Sequence, residues 1–222
     1  MTAGLTAALT AGQSKADWYL MRGTGLVALV LFTVTLVLGV AGVRGWSRPG
    51  WPRAVVAVVH RNAALLAVLF LTVHIVTAIV DPYVTVGWLA AVVPLVSHWD
   101  PVWTGLGALS LDLALAVVAT SLLRARLGRR TWRAVHWLAY ACWPLAVAHG
   151  FLSGTDSPSA WDRVVYGLCL LAVAAAVVWR LRQTGDWAPG AGRVGPAARH
   201  RPSPWAEPAV PVAPASPDQR AS

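Results

Sequence analysis

Read for polarity alone, the chain falls into long apolar runs separated by short polar clusters. Five runs stand out. Residues 18–43 carry no charge from Gly23 onward. Residues 53–80 hold no Asp, Glu, Lys or Arg after Arg61. Residues 102–123 are interrupted only by Asp112, residues 131–155 are charge-free from Ala134, and residues 162–182 are uncharged over 164–179. Most of these reach the roughly 20 residues that a helix needs to cross a ~30 Å hydrocarbon layer. The fifth does so with help from the stems of Arg180 and Arg182, which can reach back along the apolar surface. A sixth, shorter run, WLAAVVPLVS at 88–97, is broken by Pro94. It is too short to span and fits an interfacial or re-entrant helix.

The pattern therefore predicts an all-α integral membrane protein. Its core is a five-helix transmembrane bundle over 18–183, with an extracytoplasmic flank at 1–17. Eight of the fifteen prolines fall in 184–222, among Ala, Arg and Ser, which predicts a disordered tail. The tail contains Gly190-x-Gly192-x-x-Gly195, a formal dinucleotide fingerprint. Neither a strand before it nor a helix after it is expected, so the match is read as chance.

Composition supports the membrane reading. Charged residues make up 12% and the hydrophobic set 57%, against about 25% charge in a soluble domain. The net charge of +9 would suit nucleic acid, but no basic soluble domain is there to bind it. In a membrane protein the same surplus orients the bundle. Arg44, Arg48 and Arg53 follow the first run, Arg124, Arg126, Arg129, Arg130 and Arg133 follow the third, and Arg180 and Arg182 follow the fifth. The intervening loops carry Asp81, Asp100 and Asp156. This alternation predicts the N-terminus outside and the C-terminus in the cytoplasm of a bacterial plasma membrane, with runs two and four parallel. Trp residues at the run ends supply the aromatic belt. Cys142 and Cys169 both lie in apolar runs, so no disulfide framework is expected.

The chemistry lies in histidines. Four of six are inside the apolar runs: His60 and His74 in the second, His136 and His149 in the fourth. Ionisable groups in hydrocarbon are costly and usually functional. Spacings of fourteen and thirteen residues rise about 21 and 19.5 Å, so each run presents one His near each leaflet. Depth pairs His60 with His136 and His74 with His149. Each pair can clamp one iron from opposite faces, and two bis-His haems stacked across a bilayer make an electron wire. The phase of the second pair is strained: at 100° per residue, thirteen steps end about 140° away from the starting face. Pro144 lies between His136 and His149, and a 3₁₀-like turn there is expected to restore the phase. A zinc or copper site would want three or four converging ligands with carboxylates or thiolates among them, and each depth offers two His.

HRNAALLAVLFLTVH (60–74) and HWLAYACWPLAVAH (136–149) resemble the haem-ligand helices of the ferric reductase/NADPH oxidase transmembrane family. LLRARLGRRTWRAVHWLAY and HGFLSGTDS resemble stand-alone bacterial, actinobacterial members. The resemblance implies two haem b groups, the inner one on His60 and His136 and the outer on His74 and His149. It implies a membrane oxidoreductase component. The oxidases continue into a cytoplasmic domain that binds FAD and NAD(P)H, and this chain ends in the expected tail. A separate flavoprotein or quinol is therefore the expected donor, and ferric ion, oxygen or a protein the expected outer acceptor.

Other residues carry weaker signals. Arg61, beside His60, suits a haem propionate or a snorkelling position equally well. The family resemblance places Arg22 near the outer haem. Trp143 and Phe70 lie between the two histidine levels; the family resemblance implies an aromatic conduit in that gap, with Trp143 the candidate, and ordinary packing is the commoner role. Asp112 lies near the midplane, where a charge costs roughly 2.5–3.5 kcal/mol, and a structural hydrogen bond there is expected ahead of a proton relay. His98 and His200 are given no ligand role. Two other classes fit the runs: a quinol-linked cytochrome b subunit of a larger complex, and a non-redox metal-binding or transport protein with structural histidines.

Overall fold

The computed structural model describes residues 2–43, 52–81, 86–154 and 159–185, with side chains over 15–42, 52–81, 86–154 and 159–182. The chain divides after Thr184 into two units. The expected disordered tail lies outside the described residues beyond Gly185, while Thr184 and Gly185 are helical; Arg44, Trp46, Arg48, Trp51, Asp156 and His200 also lie outside.

The described chain is helical between short connections. In order the elements are α1 (Thr2–Val43), α2 (Arg53–Val80), α3 (Gly87–Val92), α4 (Pro101–Leu122), α5 (Arg129–His136), α6 (Ala139–Ser153) and α7 (Ala160–Gly185). Four helices are long and apolar enough to cross a membrane: Lys15–Gly42, Arg53–Val80, Pro101–Leu122 and Ala160–Arg182. Their surfaces fit that solvent. Leu65, Leu69 and Leu171 face outward at 57%, 58% and 65% exposure, an arrangement that hydrocarbon accepts and water penalises. The protein is a multi-pass membrane protein.

Where small residues line the helices, backbones come close. α1 packs along α2 and α4 along α6, with α1 meeting α6 between the two pairs. Val56, Ala63, Ala67 and Thr77 form the buried stripe of α2. Gly105, Ala108, Ser110 and Ala114 form that of α4. Small side chains at membrane helix contacts permit this approach and let polar groups bond across it. Ser110 and Cys142 do so reciprocally: Ser110 Oγ donates to the Cys142 carbonyl at 3.0 Å and Cys142 Sγ to the Ser110 carbonyl at 3.3 Å. Gly105 admits a loop rather than a helix. A Cβ there would meet the Leu95 backbone nitrogen at 2.9 Å, so the segment after α3 lies directly on α4.

Residues 2–17 are helical and continuous with the first span, because an Ala-rich, proline-free stretch extends a helix that already exists at little cost. One expectation is corrected: the fourth apolar run is two helices. Its tightened turn is present, but it precedes Pro144 instead of lying at it. Leu138 N–H bonds to the Val135 carbonyl, Tyr140 to Trp137 and Ala141 to Leu138, at 2.9, 3.0 and 3.0 Å. These are i→i+3 bonds, and Pro144 itself sits inside α6. A proline withdraws the donor for the carbonyl four residues earlier and its ring crowds that carbonyl, so the distortion falls one turn upstream. α7 braces the spot: Arg180 Nη1 donates to Tyr140 Oη at 3.0 Å and its guanidinium lies 5.5 Å from the Trp137 ring centre.

Candidate functional site

His60 and His74 belong to the same helical stripe as Val56, Ala63, Ala67 and Thr77 and so face inward from α2. The tightened turn after His136 brings His136 and His149 to face them. The rings pair by level. His60 and His136 have centroids 6.4 Å apart with planes at 59°, and His74 and His149 are 6.3 Å apart at 71°. The limbs that carry them therefore run parallel. Among the described residues no three His, Cys, Asp or Glu side chains converge. Each level is a two-histidine arrangement.

Three of the rings have a defined tautomer. His60 Nδ1 lies 3.0 Å from the Thr35 carbonyl, His74 Nδ1 2.8 Å from that of Met21, and His149 Nδ1 2.8 Å from that of Trp103. A carbonyl only accepts, so each Nδ1 carries the proton and Nε2 is left with its lone pair, the form that ligates a metal. A backbone carbonyl behind the ring also fixes its orientation. His136 is different. Its Nδ1 is buried and finds no hydrogen-bond partner among the described residues. Trp132, one turn earlier, stacks on its ring at 5.1 Å and donates from Nε1 to Ser121 Oγ at 3.4 Å. The sequence reading placed Trp132 in the aromatic belt and missed this contact, although the i, i+4 spacing of 132 and 136 was visible.

A cavity of about 230 Å³ opens beside the His74/His149 level and reaches neither His60 nor His136. Arg22, Trp99, Ser153, Asp162 and Tyr166 line its polar parts. Arg22 is half-buried, and its guanidinium lies so close to Gly154 that a Cβ there would meet Nη1 at 2.6 Å. The sequence reading found Arg22 but missed Asp162 and Tyr166, which are 2% and 7% exposed. Both sit at i, i+4 on the first turns of α7.

Trp143 is 8% exposed, and its Nε1 donates to Thr33 Oγ1 at 2.9 Å. It lies between the two levels and ties α6 to α1. Phe70 is half-buried on α2, Asp112 is half-buried on α4, and Arg61 is exposed. None of these three lines the cavity.

Compared with protein-family models, residues 24–147 match the ferric reductase like transmembrane component, over more than half of the chain. The chain belongs to this family. His60, His74 and His136 fall within the matched residues, and Arg22 and His149 lie two residues outside its two ends. No curated protein and no solved structure matches the chain. Membership ties this ferric reductase-like membrane domain to transmembrane electron transfer, to redox partners and to a lipid bilayer, and domains of this family usually bind haem.

Proposed function

We propose that the chain is a di-haem b electron-transfer subunit, with His60 and His136 as axial ligands of an inner haem and His74 and His149 of an outer one. The observation that carries this is the equal ring separation at both levels. Two metal–imidazole bonds of about 2 Å, plus a ring radius of about 1.2 Å at each end, separate the ring centres by about 6.4 Å. The pairs stand at 6.4 and 6.3 Å. The Nδ1 protons committed to carbonyls support Nε2 ligation at three of the four positions. A haem held by each pair would supply a one-electron iron couple, and the protein would act as a conductor between partners.

The chain's own residues then have distinct tasks. The four histidines hold and orient, and Trp143, fixed by Thr33, fills the space between levels, with Phe70 as the second aromatic there. Arg22 offers a cation to a propionate or an anionic acceptor at the outer mouth, and Arg61 does the same at the inner level. Asp112 has a structural role. α5 and α6 together form a fifth crossing, α3 lies at the interface, the N-terminus is outside and the C-terminus cytoplasmic in a bacterial plasma membrane. Electrons come from a separate flavoprotein or quinol and leave to ferric ion, oxygen or a protein.

The test is an oxidised and dithionite-reduced absorption spectrum of the purified chain with haem quantified per chain. Two b-type haems are expected, with at most one kept in His60→Ala or His149→Ala. A folded protein without haem, grown with ample haem, would falsify the reading and leave a structural or transport role.

A further inference from the structure

In a helix the carbonyl of residue i points along the axis at the N–H of i+4, and a second donor arriving from outside must pass the side chain at i+4. Each of the three carbonyls that receive a histidine Nδ1–H has glycine at that place. Met21 is followed by Gly25, Thr35 by Gly39 and Trp103 by Gly107. A Cβ on Gly25 would lie 2.7 Å from His74 Nδ1, and one on Gly107 would lie 2.7 Å from His149 Nδ1 and Cε1. Such distances are not sustained, and the opposing atoms are a ring with little freedom to move aside. At Gly39 the nearest approach is His60 Cε1 at 3.5 Å, an ordinary contact. Gly23 and Gly42, on the same helix, have nothing within 4 Å.

The register repeats. Carbonyls 21 and 35 and glycines 25 and 39 on α1 are fourteen apart, the same interval as His60 and His74 on α2. On α4 the repeat fails where His136 would need it. Fourteen residues beyond Trp103 and Gly107 stand Val117 and Ser121. Where glycine would be needed stands a side chain, and Ser121 Oγ accepts from Trp132.

We propose that Gly25 and Gly107 are positioning residues that admit the outer histidines to their carbonyls. The outer pair is thereby locked from both sides, and the inner pair is locked on His60 alone. This rests on the axial-ligand reading above.

The test uses the full chain with haem bound, comparing Gly25→Ala and Gly107→Ala with Gly23→Ala, Gly42→Ala and Gly39→Ala. In each of the first two, one of the two haems is expected to pass from a low-spin to a high-spin absorption and paramagnetic-resonance signature, or to be lost, while the other keeps its midpoint potential. The other three variants are expected to keep two low-spin haems. Two unchanged low-spin haems in Gly25→Ala and Gly107→Ala overturn the proposal, as does equal damage in Gly23→Ala and Gly42→Ala. If the first two variants do not fold, exchange of the ligand N–H protons in D₂O decides on the unaltered protein. Slow exchange at both outer ligands with fast exchange at one inner ligand supports the lock, and uniform exchange at all four overturns it. A wild-type chain without two low-spin haems defeats the axial-ligand reading itself, whereas neutral glycine variants in a two-haem protein defeat only the lock.

Discussion

The two histidine-bearing limbs do the same geometric job by different means. α2 is one unbroken helix of 28 residues whose histidines are fourteen apart and share a face by helical arithmetic. The other limb is α5 and α6, with histidines thirteen apart and a tightened turn at 135–141. One residue fewer rotates a straight helix by about 100°, and the second limb absorbs that loss in local backbone geometry. Pro144 maintains the distortion from within, and Arg180 of α7 holds Tyr140 and Trp137 of the turn from outside. Matched ring distances at the two levels do not require matched helices.

The largest expected effect breaks this comparison outright. One alanine inserted after Ala141, just past the tightened turn, gives both limbs a spacing of fourteen but leaves that turn in place, turning His136 about 100° off its partner. The expected outcome is loss of the inner haem alone, read as half the haem per chain with outer-pair spectra intact. Full haem content after the insertion would mean that the turn carries no phase. Pro144→Ala comes next. It restores a helix donor, and an interior proline costs about 3 kcal/mol relative to alanine. The haem-free protein is expected to gain thermal stability while the inner low-spin signal weakens. If stability and ligation rise together, Pro144 does not sustain the turn. Trp132→Ala is the mildest: losing one aromatic stack of about 1 kcal/mol should weaken inner-haem retention roughly fivefold without touching the outer haem. That variant is checked by haem transfer to an apo-globin acceptor, where equal loss from both levels would count against a local role for the stack.

Much of this was legible beforehand. The bounds of α2 are those of the second apolar run, because Arg53 and Asp81 mark its ends in the sequence as they do in space. The histidine pairing followed from rise per residue together with the loop charges that make runs two and four parallel. The exact place of the tightened turn did not, since a proline's clash is felt on the carbonyl four residues before it and the strain spreads through that turn. The glycines were also illegible. In an apolar run a glycine reads equally as a lipid-facing or a packing position, and only the contact across to a second helix separates Gly25 from Gly23. Arg22 was visible as a charge, whereas Asp162 and Tyr166 became its neighbours on the cavity wall only when α7 was folded against α6.

The reciprocal bond between Ser110 and Cys142 has a practical side. Cys142 and Cys169 are both free thiols, 4% and 5% exposed, and Cys142 is further engaged at both its sulfur and its carbonyl. Water-borne alkylating reagents therefore meet almost no background on the native chain. A single cysteine added beside Asp100 or among Arg124–Arg133 becomes the one bright address on the molecule, and impermeant maleimides added to whole cells or inverted vesicles can read which side of the membrane each end occupies.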